Sequence, residues 1–300
     1  MARAASRIIV TVAIICCSMP LCATAPRTPN PEVVSAAPSR TIQGFLMVTS
    51  VIVNGQGPYA FLIDTGTNTT LIDPDLAAEL QMKPMDRMSI RTVVESRPAV
   101  RYFADTVSTG AASVAHLEVL GTPLPELQKL DHSIRGVLGM NFLLLFSFQF
   151  DYEHHRFHIY PPDGSLPLPD GVHLKAEIHD ARILIPVSSD TALSGRWRLG
   201  LDSGIAQTLI FADRIDASRT TCGGPDCLMR VSSNVSSREA IAVHLPQISI
   251  AGVELNEFPA VVLPGDTSRR ADPQDGLLPA AMFRSVSFDR ATATITFKPR

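Results

Sequence analysis

The chain of 300 residues contains an internal repeat, and no other feature limits its fold as strongly. When Asp64 is placed over Asp202, residues 64–72 and residues 202–210 share an aspartate, a hydroxyl residue, a glycine and a closing Thr-Leu-Ile run. Farther along the chain, each copy has a glycine followed by two aliphatic residues. Each copy then has a Phe-Asp pair, which follows Asp64 and Asp202 at the same distance. Self-similarity of this kind is typical of a duplicated structural unit. We therefore expect two similar lobes.

Patterns typical of β-strands precede both aspartates. In each copy an apolar strand, a turn and a second apolar strand lead into the aspartate. The segments are residues 46–53, Asn54-Gly55 and 59–63 in the first copy and residues 183–187 and 196–201 in the second. The 23 prolines and the scarcity of long runs of helix formers argue against helical bundles and coiled coils. The expected fold is mainly β with a few short helices.

The amino-terminal segment has the layout of a secretory signal peptide. Arg3 and Arg7 precede an apolar run, and the small residues Ala23 and Ala25 follow it. We expect a signal peptide at residues 1–25 and export to the periplasm or secretion from the cell. The apolar run is shorter than the roughly 20 residues of a membrane-spanning helix, so an uncleaved membrane anchor is the lesser alternative.

Composition also indicates the boundaries of the mature chain. Residues 26–40 are rich in proline, serine and alanine and predict a disordered leader. The prolines and glycines of residues 163–172 predict a linker. We therefore expect an N-terminal lobe at residues 41–162 and a C-terminal lobe at residues 173–300.

Charge and histidine content limit the partners. The formal net charge is −3 and no run of Lys or Arg stands out, so we expect neither nucleic acid nor, beyond the signal segment, a membrane as a partner. His154, His155 and His158 lie close together in the chain, but the second copy has no counterpart there, which favours a solvated hairpin loop over a metal site. We expect a monomer that uses no metal and no cofactor.

Two cysteines follow the expected signal peptide. Cys222 and Cys227 are separated by Gly-Gly-Pro-Asp, a turn sequence. In an oxidising compartment a disulfide bond closing this loop is worth about 2 kcal/mol. Two thiols without a nearby cysteine or histidine cannot complete the four ligands of a metal site. We therefore expect a disulfide bond in preference to a metal site.

The duplicated motifs resemble those of the aspartic peptidases, in particular the retropepsin-like aspartyl proteases of many bacterial exported proteins, here in a fused, two-lobed, pepsin-like arrangement. The motifs that resemble the family are residues 61–67 and 136–139 in the first copy and residues 199–204 and 276–278 in the second. The resemblance, which covers roughly residues 50–300, implies two similar closed β-barrel-like lobes of the acid protease fold, related by a pseudo-twofold axis. It also implies a catalytic pair, Asp64 and Asp202, and a peptide or protein substrate in the cleft between the lobes.

The chemistry of such a pair explains why both aspartates are needed. Two carboxyl groups a few ångströms apart cannot both ionise cheaply, so they share one proton. The ionised member can take a proton from a bound water, which attacks the peptide carbonyl, while the protonated member supports the developing oxyanion. We therefore expect an aspartic-type endopeptidase, a hydrolase, that uses Asp64 and Asp202.

Neighbouring residues are expected to support the pair. Gly66 and Gly204 let backbone N–H groups approach the carboxylates, because no Cβ intrudes. The resemblance implies that Thr65 and Ser203 hydrogen-bond across the interface between the lobes. The hydroxyl of Thr67 is placed to bond the outer oxygen of the first carboxylate.

Two positions in the second copy depart from the pattern of the family. Ile205 stands where the first copy has Thr67 and offers no hydroxyl, and Pro279 replaces the glycine found at position 139. Two alternatives therefore stay open: a catalytically inactive protein of the same fold that binds a peptide, or a structural domain of the cell envelope. An Asp-Ser/Thr-Gly run is also a common turn, although a simple turn gives no reason for the flanking residues to recur.

Overall fold

The computed structural model describes residues 34–35, 39–92, 96–110, 112–160, 166, 170–188, 196–212, 228–232, 237–250, 252–263 and 273–300. Strands dominate these residues, and the helices are short. The strands of the first half are β1 Val34–Ser35, β2 Arg40–Ile42, β3 Leu46–Val53, β4 Gln56–Ile63, β5 Thr70–Ile72, β6 Arg87–Arg91, β7 Ser96–Thr109, β8 Ala112–Gly121, β9 Ile134–Leu138, β10 Ser147–Asp151 and β11 Arg156–Tyr160. Those of the second half are β12 Val172–Lys175, β13 Glu177–His179, β14 Arg182–Ser188, β15 Arg196–Asp202, β16 Thr208–Phe211, β17 Leu228–Ser232, β18 Ser237–Ile250, β19 Val253–Leu263, β20 Gly276–Pro279, β21 Ser285–Asp289 and β22 Thr294–Lys298. The helices are α1 Pro74–Glu79, α2 Pro125–Leu130 and α3 Met140–Leu143, with a 3-10 turn at Ala280–Met282.

Each half contains an eight-stranded sheet, and the two sheets have the same strand order. The first runs β2-β3-β4-β9-β5-β8-β7-β6 and the second runs β13-β14-β15-β20-β16-β19-β18-β17. An additional antiparallel pairing, of β3 with β7 and of β14 with β18, curls each sheet towards a barrel. The mainly β fold with barrel-like lobes and a few short helices is thus confirmed, and the pseudo-twofold axis stays a prediction.

A parallel pair of strands in each sheet leads to an aspartate. β4 pairs in parallel with β9, and β15 pairs in parallel with β20. The repeated triplets of a glycine and two aliphatic residues lie in β9 and β20. β4 closes on Phe61, Leu62 and Ile63, all of which are buried. The last residues of β4 are buried on both faces of the sheet, so they are apolar in succession and do not alternate with polar residues.

A third sheet joins the two halves of the chain. Its order is β1-β11-β10-β21-β22-β12, so strands from both copies lie side by side. β10 pairs antiparallel with β21, which places Phe148 opposite Phe288 and Phe150 opposite Val286. These four side chains are buried, and the rings of Phe148 and Phe288 lie 5.3 Å apart. The repeated Phe-Asp pairs therefore lie in the sheet that holds the two copies together.

Edge strands of two sheets, β1 and β2, reach into the segment that was expected to be a disordered leader. Val34 and Ser35 pair with β11, and β2 begins at Arg40, so β-structure extends into the predicted disordered leader at residues 26–40. The edge of β11 offers backbone groups that a short extended segment can bond. The predicted signal peptide, most of the leader and most of the linker lie outside the described residues. Among the residues that are described, no helix has the length and apolar character needed to cross a membrane.

Candidate active site

Asp64 and Asp202 stand at the ends of equivalent strands. Asp64 follows β4, and its N–H donates to the carbonyl of Leu138, the last residue of β9, at 3.1 Å. Asp202 closes β15 in register with Pro279 of β20. Each aspartate thus lies where its strand ends, next to the end of the parallel partner strand, β9 for Asp64 and β20 for Asp202. Both residues are buried, with 4% and 5% of their surface exposed.

The structure brings the two carboxyl groups together. Asp64 acts on Asp202 as a hydrogen-bond partner and as a neighbouring charge, and both effects raise the pKa of Asp202. Each loop backbone also packs against the opposite carboxyl group: a Cβ built on Gly66 would lie 2.3 Å from Asp202 Oδ2, and one on Gly204 would lie 2.9 Å from Asp64 Oδ1. Real Cβ atoms essentially never come closer than 3.0 Å. Glycine at both positions therefore permits this approach.

Four hydrogen bonds connect the two aspartate loops. The N–H of Thr65 donates to Ser203 Oγ at 3.1 Å, and the N–H of Ser203 donates to Thr65 Oγ1 at 3.0 Å. The hydroxyl of Thr65 donates to the carbonyl of Leu201 at 2.9 Å, and the hydroxyl of Ser203 donates to the carbonyl of Ile63 at 3.0 Å. Both Thr65 and Ser203 are only 1% exposed. Buried hydroxyls that both donate and accept hold a fixed geometry, here between the two halves.

The two carboxyl groups are supported unequally. Asp64 accepts one hydrogen bond from the N–H of Gly66 and another from the hydroxyl of Thr67, each at 2.8 Å and each on a different oxygen. Asp202 accepts the matching backbone bond at 2.7 Å from the glycine two residues on. Ile205 occupies the position equivalent to Thr67 and has no hydroxyl to donate. Because hydrogen bonds to a carboxylate stabilise its ionised form, Asp64 is the better site for the negative charge.

The surroundings of Asp202 favour its protonated form. Burial raises the pKa of Asp202 well above its usual range, and the neighbouring charge of Asp64 raises it further. The N–H of Gly204 and the guanidinium of Arg182 lower the pKa of Asp202, with smaller effects than burial. Two adjacent buried carboxyl groups cannot both ionise at low cost. The arrangement can therefore act as a singly ionised pair, with Asp64 as the base and Asp202 as the acid.

A contact between the two halves lies beside the pair. Arg182 donates from Nε to Asn68 Oδ1 at 2.9 Å, and Asn68 Nδ2 donates to the carbonyl of Asp180 at 2.6 Å. Asn68 directly follows Thr67, so the turn between β13 and β14 holds the aspartate loop of the first half. The sequence carries no signal for this contact, because Asn68 and Arg182 are 114 residues apart and no local pattern connects them.

Pro279 marks a second difference between the halves. In the first half the N–H of Gly139 donates to Thr70 Oγ1 at 3.2 Å, a buried bond just after β9. Proline has no N–H, so Pro279 cannot make the matching bond. Pro279 nevertheless pairs in register with Asp202. The strand arrangement that presents Asp202 is therefore kept.

The histidine-rich segment forms the turn between β10 and β11. The side chain of His154 is 63% exposed, and its Nδ1 lies 2.8 Å from Asp151 Oδ2. In the part of the chain that the structure describes, no three His, Cys, Asp or Glu side chains form a group that could hold a metal ion. Cys222 and Cys227 lie outside the described residues, so their disulfide bond stays a prediction.

A comparison with known families finds a match that covers the first half of the site. Residues 49–142 match the aspartyl protease family model. The matched segment begins in β3, ends in α3 and includes Asp64 together with Thr65, Gly66 and Thr67. This match to an aspartyl protease supports a protease-type, hydrolytic function. No curated protein matches the chain.

Proposed function

We propose that the chain is an aspartic-type endopeptidase, in which Asp64 and Asp202 activate a water that hydrolyses a peptide bond. The observation that supports this most strongly is a pair of buried carboxyl groups, one from each copy of the repeat, each packed against the aspartate loop of the other copy. Burying two such groups costs free energy. The bonds between Thr65 and Ser203 hold the pair in place against that cost. The aspartyl protease match over residues 49–142 supports the same reaction.

The unequal support of the two carboxyl groups assigns their roles. Asp64, with a donor on each oxygen, carries the negative charge and takes a proton from the water. The water oxygen then attacks the carbonyl carbon of the substrate. Asp202 donates its proton towards the carbonyl oxygen as negative charge develops there. When the tetrahedral species collapses, the C–N bond breaks, Asp64 passes its proton to the leaving nitrogen, and Asp202 takes back a proton from the hydroxyl as the carbonyl re-forms.

The proposed substrate is an extended segment of a peptide or protein. We place it in a cleft between the two lobes, because the carboxyl pair lies where the two halves of the chain meet. A monomer supplies both aspartates in this arrangement, which is that of a two-lobed, pepsin-like enzyme. We further propose that the protein is exported, on the basis of the signal-peptide layout of residues 1–25.

Digestion of a peptide library tests the proposed function. The wild-type protein should cut peptides at defined bonds between about pH 3 and pH 7, the range spanned by ordinary and raised carboxyl pKa values. Asp64→Asn and Asp202→Asn should cut none of these bonds, because asparagine can neither take up nor release the proton. Mass spectrometry of the digests identifies the new termini.

Asp73→Asn is the matched control for these variants. Asp73 is 6% exposed, but it caps α1 by accepting a hydrogen bond from the N–H of Asp75 at 2.9 Å. Asparagine caps helices about as well as aspartate does, so this variant should cut the same bonds as the wild type. Cleavage of those bonds by Asp64→Asn or Asp202→Asn would reject the proposal.

Ile205 and Pro279 favour a second candidate, a protein of the same fold that binds a peptide and does not cut it. Each of these residues lacks a hydrogen-bond donor that its counterpart in the first half provides. This candidate predicts that library peptides are retained and later released intact. New peptide termini in the released fraction would exclude it. A structural envelope domain does not require that the two aspartate loops meet, so the packing of each loop against the opposite carboxyl group gives that alternative no support.

A further inference from the structure

The side chain of Asn141 links the loop that follows Asp64 to two other elements of the first half. Its Oδ1 accepts hydrogen bonds from the N–H and from the hydroxyl of Thr70, each at 2.8 Å. Its Nδ2 donates to the carbonyl of Glu118 in β8, also at 2.8 Å. The hydroxyl of Thr70, a fully buried residue, in turn accepts from the N–H of Gly139 at 3.2 Å. The end of the aspartate loop is thus tied to α3 and to β8.

An amide side chain satisfies all of these partners. The acceptor of Asn141 faces two donors, and its donor faces a carbonyl. A carboxylate at this position would oppose the Glu118 carbonyl with a second acceptor, and an alkyl side chain would remove the partner of the Thr70 N–H. The residue type at position 141 is therefore matched to the loop that it holds.

The backbone at the start of α3 holds the same loop nearer to Asp64. The N–H of Met140 donates to the carbonyl of Thr67 at 2.8 Å, and the N–H of Asn141 donates to the carbonyl of Asn68 at 2.9 Å. The first N–H groups of a helix have no partner within the helix, and here the loop supplies one. Thr67 is the residue whose hydroxyl donates to Asp64 at 2.8 Å. The contacts of α3 therefore fix the backbone that carries this hydroxyl.

The second copy lacks this arrangement. Position 281 is equivalent to position 141, because the strands before them, β20 and β9, pair in register with the strands that lead to the two aspartates. Ala281 stands there and offers no amide. Among the residues that the structure describes, no backbone hydrogen bond joins residues 205–207 to residues 279–281. The bracing contacts thus accompany Asp64, the aspartate that also receives a hydroxyl donor.

We infer that Asn141 is a positioning residue for Asp64, which braces the loop so that the hydroxyl of Thr67 stays on the Asp64 carboxylate. A hydroxyl that can move away from a carboxylate stabilises its charge less. Without the brace the pair should hold its protons more tightly, so its first ionisation should move to higher pH. The catalytic meaning of this role rests on the proposed function, whereas the bond between Thr67 and Asp64 does not require that the protein cut peptides.

Substitution at position 141 isolates this effect, because it changes no charge. Arg182 acts on Asp202 from the second half, and the carboxylate of Glu118 lies 3.7 Å from Arg101. Asn141→Ala leaves all of these charged groups in the chain. A change in the titration of the pair would therefore report lost hydrogen bonding and not lost charge.

Carbon-13 NMR of labelled aspartate carboxyl groups tests the inference. In Asn141→Ala the midpoint of the first ionisation of the pair should rise by up to about one pH unit, the usual spread that protein surroundings impose on carboxyl groups. Thr67→Val should raise the midpoint in the same direction. In the Thr67→Val background, Asn141→Ala should add no further rise, because the hydroxyl through which it acts is absent.

Gln128→Ala is the matched control. Gln128 is a half-buried amide of the same half, and its Nε2 joins α2 to the cap of α1 by donating to Asp73 Oδ2 at 2.7 Å. This variant should titrate like the wild type. No rise in Asn141→Ala, an equal rise in Gln128→Ala, or a full additional rise in the Thr67→Val background would overturn the inference.

Thr70→Val and Thr70→Ser keep the test decisive if Asn141→Ala fails to fold. Valine has nearly the shape of threonine but cannot bond Asn141 or Gly139, so the midpoint should rise as in Asn141→Ala. Serine keeps the hydroxyl and should restore the wild-type midpoint. Equal midpoints in the valine and serine variants would overturn the inference.

Peptide cleavage is measured separately, so the inference and the proposed function can fail independently. In an active protein, Asn141→Ala should lower kcat/KM roughly 10-fold, about the effect of one hydrogen bond to a charged group. In the Thr67→Val background the same change should cost less than about 2-fold. A protein that cuts no peptide but shows the titration effects loses the proposed function and keeps the role of Asn141. A protein that cuts peptides without the titration effects keeps the function and loses that role.

Discussion

One hydroxyl group makes the two aspartates unequal. Thr67 donates to Asp64 at 2.8 Å, and the equivalent residue beside Asp202 is Ile205. A hydrogen bond to a charged group contributes about 1.5 to 3 kcal/mol. In Thr67→Val the ionised form of Asp64 loses this bond, so we expect kcat/KM to fall roughly 10- to 100-fold and its acidic limb to move to higher pH. The pH dependence of peptide cleavage measures both changes.

Ile205→Thr is the converse control. The new hydroxyl offers a donor to Asp202, which should lower the pKa of Asp202 and move the alkaline limb of the profile to lower pH. The acidic limb should stay in place. If Ile205→Thr moved the acidic limb, and Thr67→Val the alkaline one, the roles assigned to the two aspartates would be reversed.

The residues of the pair could be predicted from sequence, and some of their neighbours could not. Asp64 and Asp202 stand in a run that occurs twice, and the bonds of Thr65 and Ser203 follow from residue types at fixed places in that run. Asn68, next to Thr67, accepts a hydrogen bond from Arg182, which is 114 residues away in the chain. This contact depends on how the two halves pack together, and a single sequence contains no signal for that.

At the scale of elements, the turn between β13 and β14 has a strained backbone and also contacts the loop that follows Asp64. Asp180 and Ala181 have positive φ angles of 47° and 57°. The left-handed region costs a residue with a Cβ roughly 1 to 2 kcal/mol, and glycine avoids that cost. We therefore expect Ala181→Gly to raise the free energy of unfolding by about 1 kcal/mol in urea titrations.

Gly55 provides the comparison for Ala181. It lies in the turn between β3 and β4 with φ of 75° and has open space around it, so Gly55→Ala changes the backbone preference without a steric clash. This variant should lower the free energy of unfolding by a similar amount. Destabilisation by Ala181→Gly would show that the turn is not strained at this residue.

The hairpins that lead into the aspartates were predictable, whereas the strands that join the halves were not. β3 and β4 agree with the predicted segments because two β-favouring apolar segments on either side of an Asn-Gly turn specify a local hairpin. The pairing of β10 with β21 joins residues about as far apart in the chain as the two aspartates. The sequence shows the repeated Phe-Asp pairs, but a β pattern does not identify the partner strand.

At the scale of the whole molecule, burying the pair makes stability depend on pH. The pKa of Asp202 is raised on folding, so the folded chain keeps a proton that the unfolded chain releases. The resulting contribution to stability is full below the ordinary aspartate pKa of about 3.9 and is lost as the pH rises through the raised value. Asp202→Asn cannot ionise, and we expect it to be more stable than the wild type at pH 7 by on the order of 1 kcal/mol.

Urea unfolding between pH 3.5 and 7, a range of roughly the ordinary aspartate pKa to neutrality, measures this difference. The advantage of Asp202→Asn over the wild type should shrink as the pH falls towards about 4. An advantage that is equal at every pH would mean that the proton on Asp202 does not link folding to pH.

The duplicated sequence predicted two β lobes, and the equal strand orders of the two sheets agree with it. The central claim is that one aspartate from each lobe contributes to a single catalytic unit. The most direct test is kcat/KM on one library peptide for the wild type, Asp64→Asn, Asp202→Asn and the double variant. Each single variant should lose about 10⁴-fold or more, and the double variant should lose no more than the worse of the two, because residues that act as a unit are not additive. Losses that multiply in the double variant, or a single variant that keeps most of its activity, would contradict the shared role of Asp64 and Asp202.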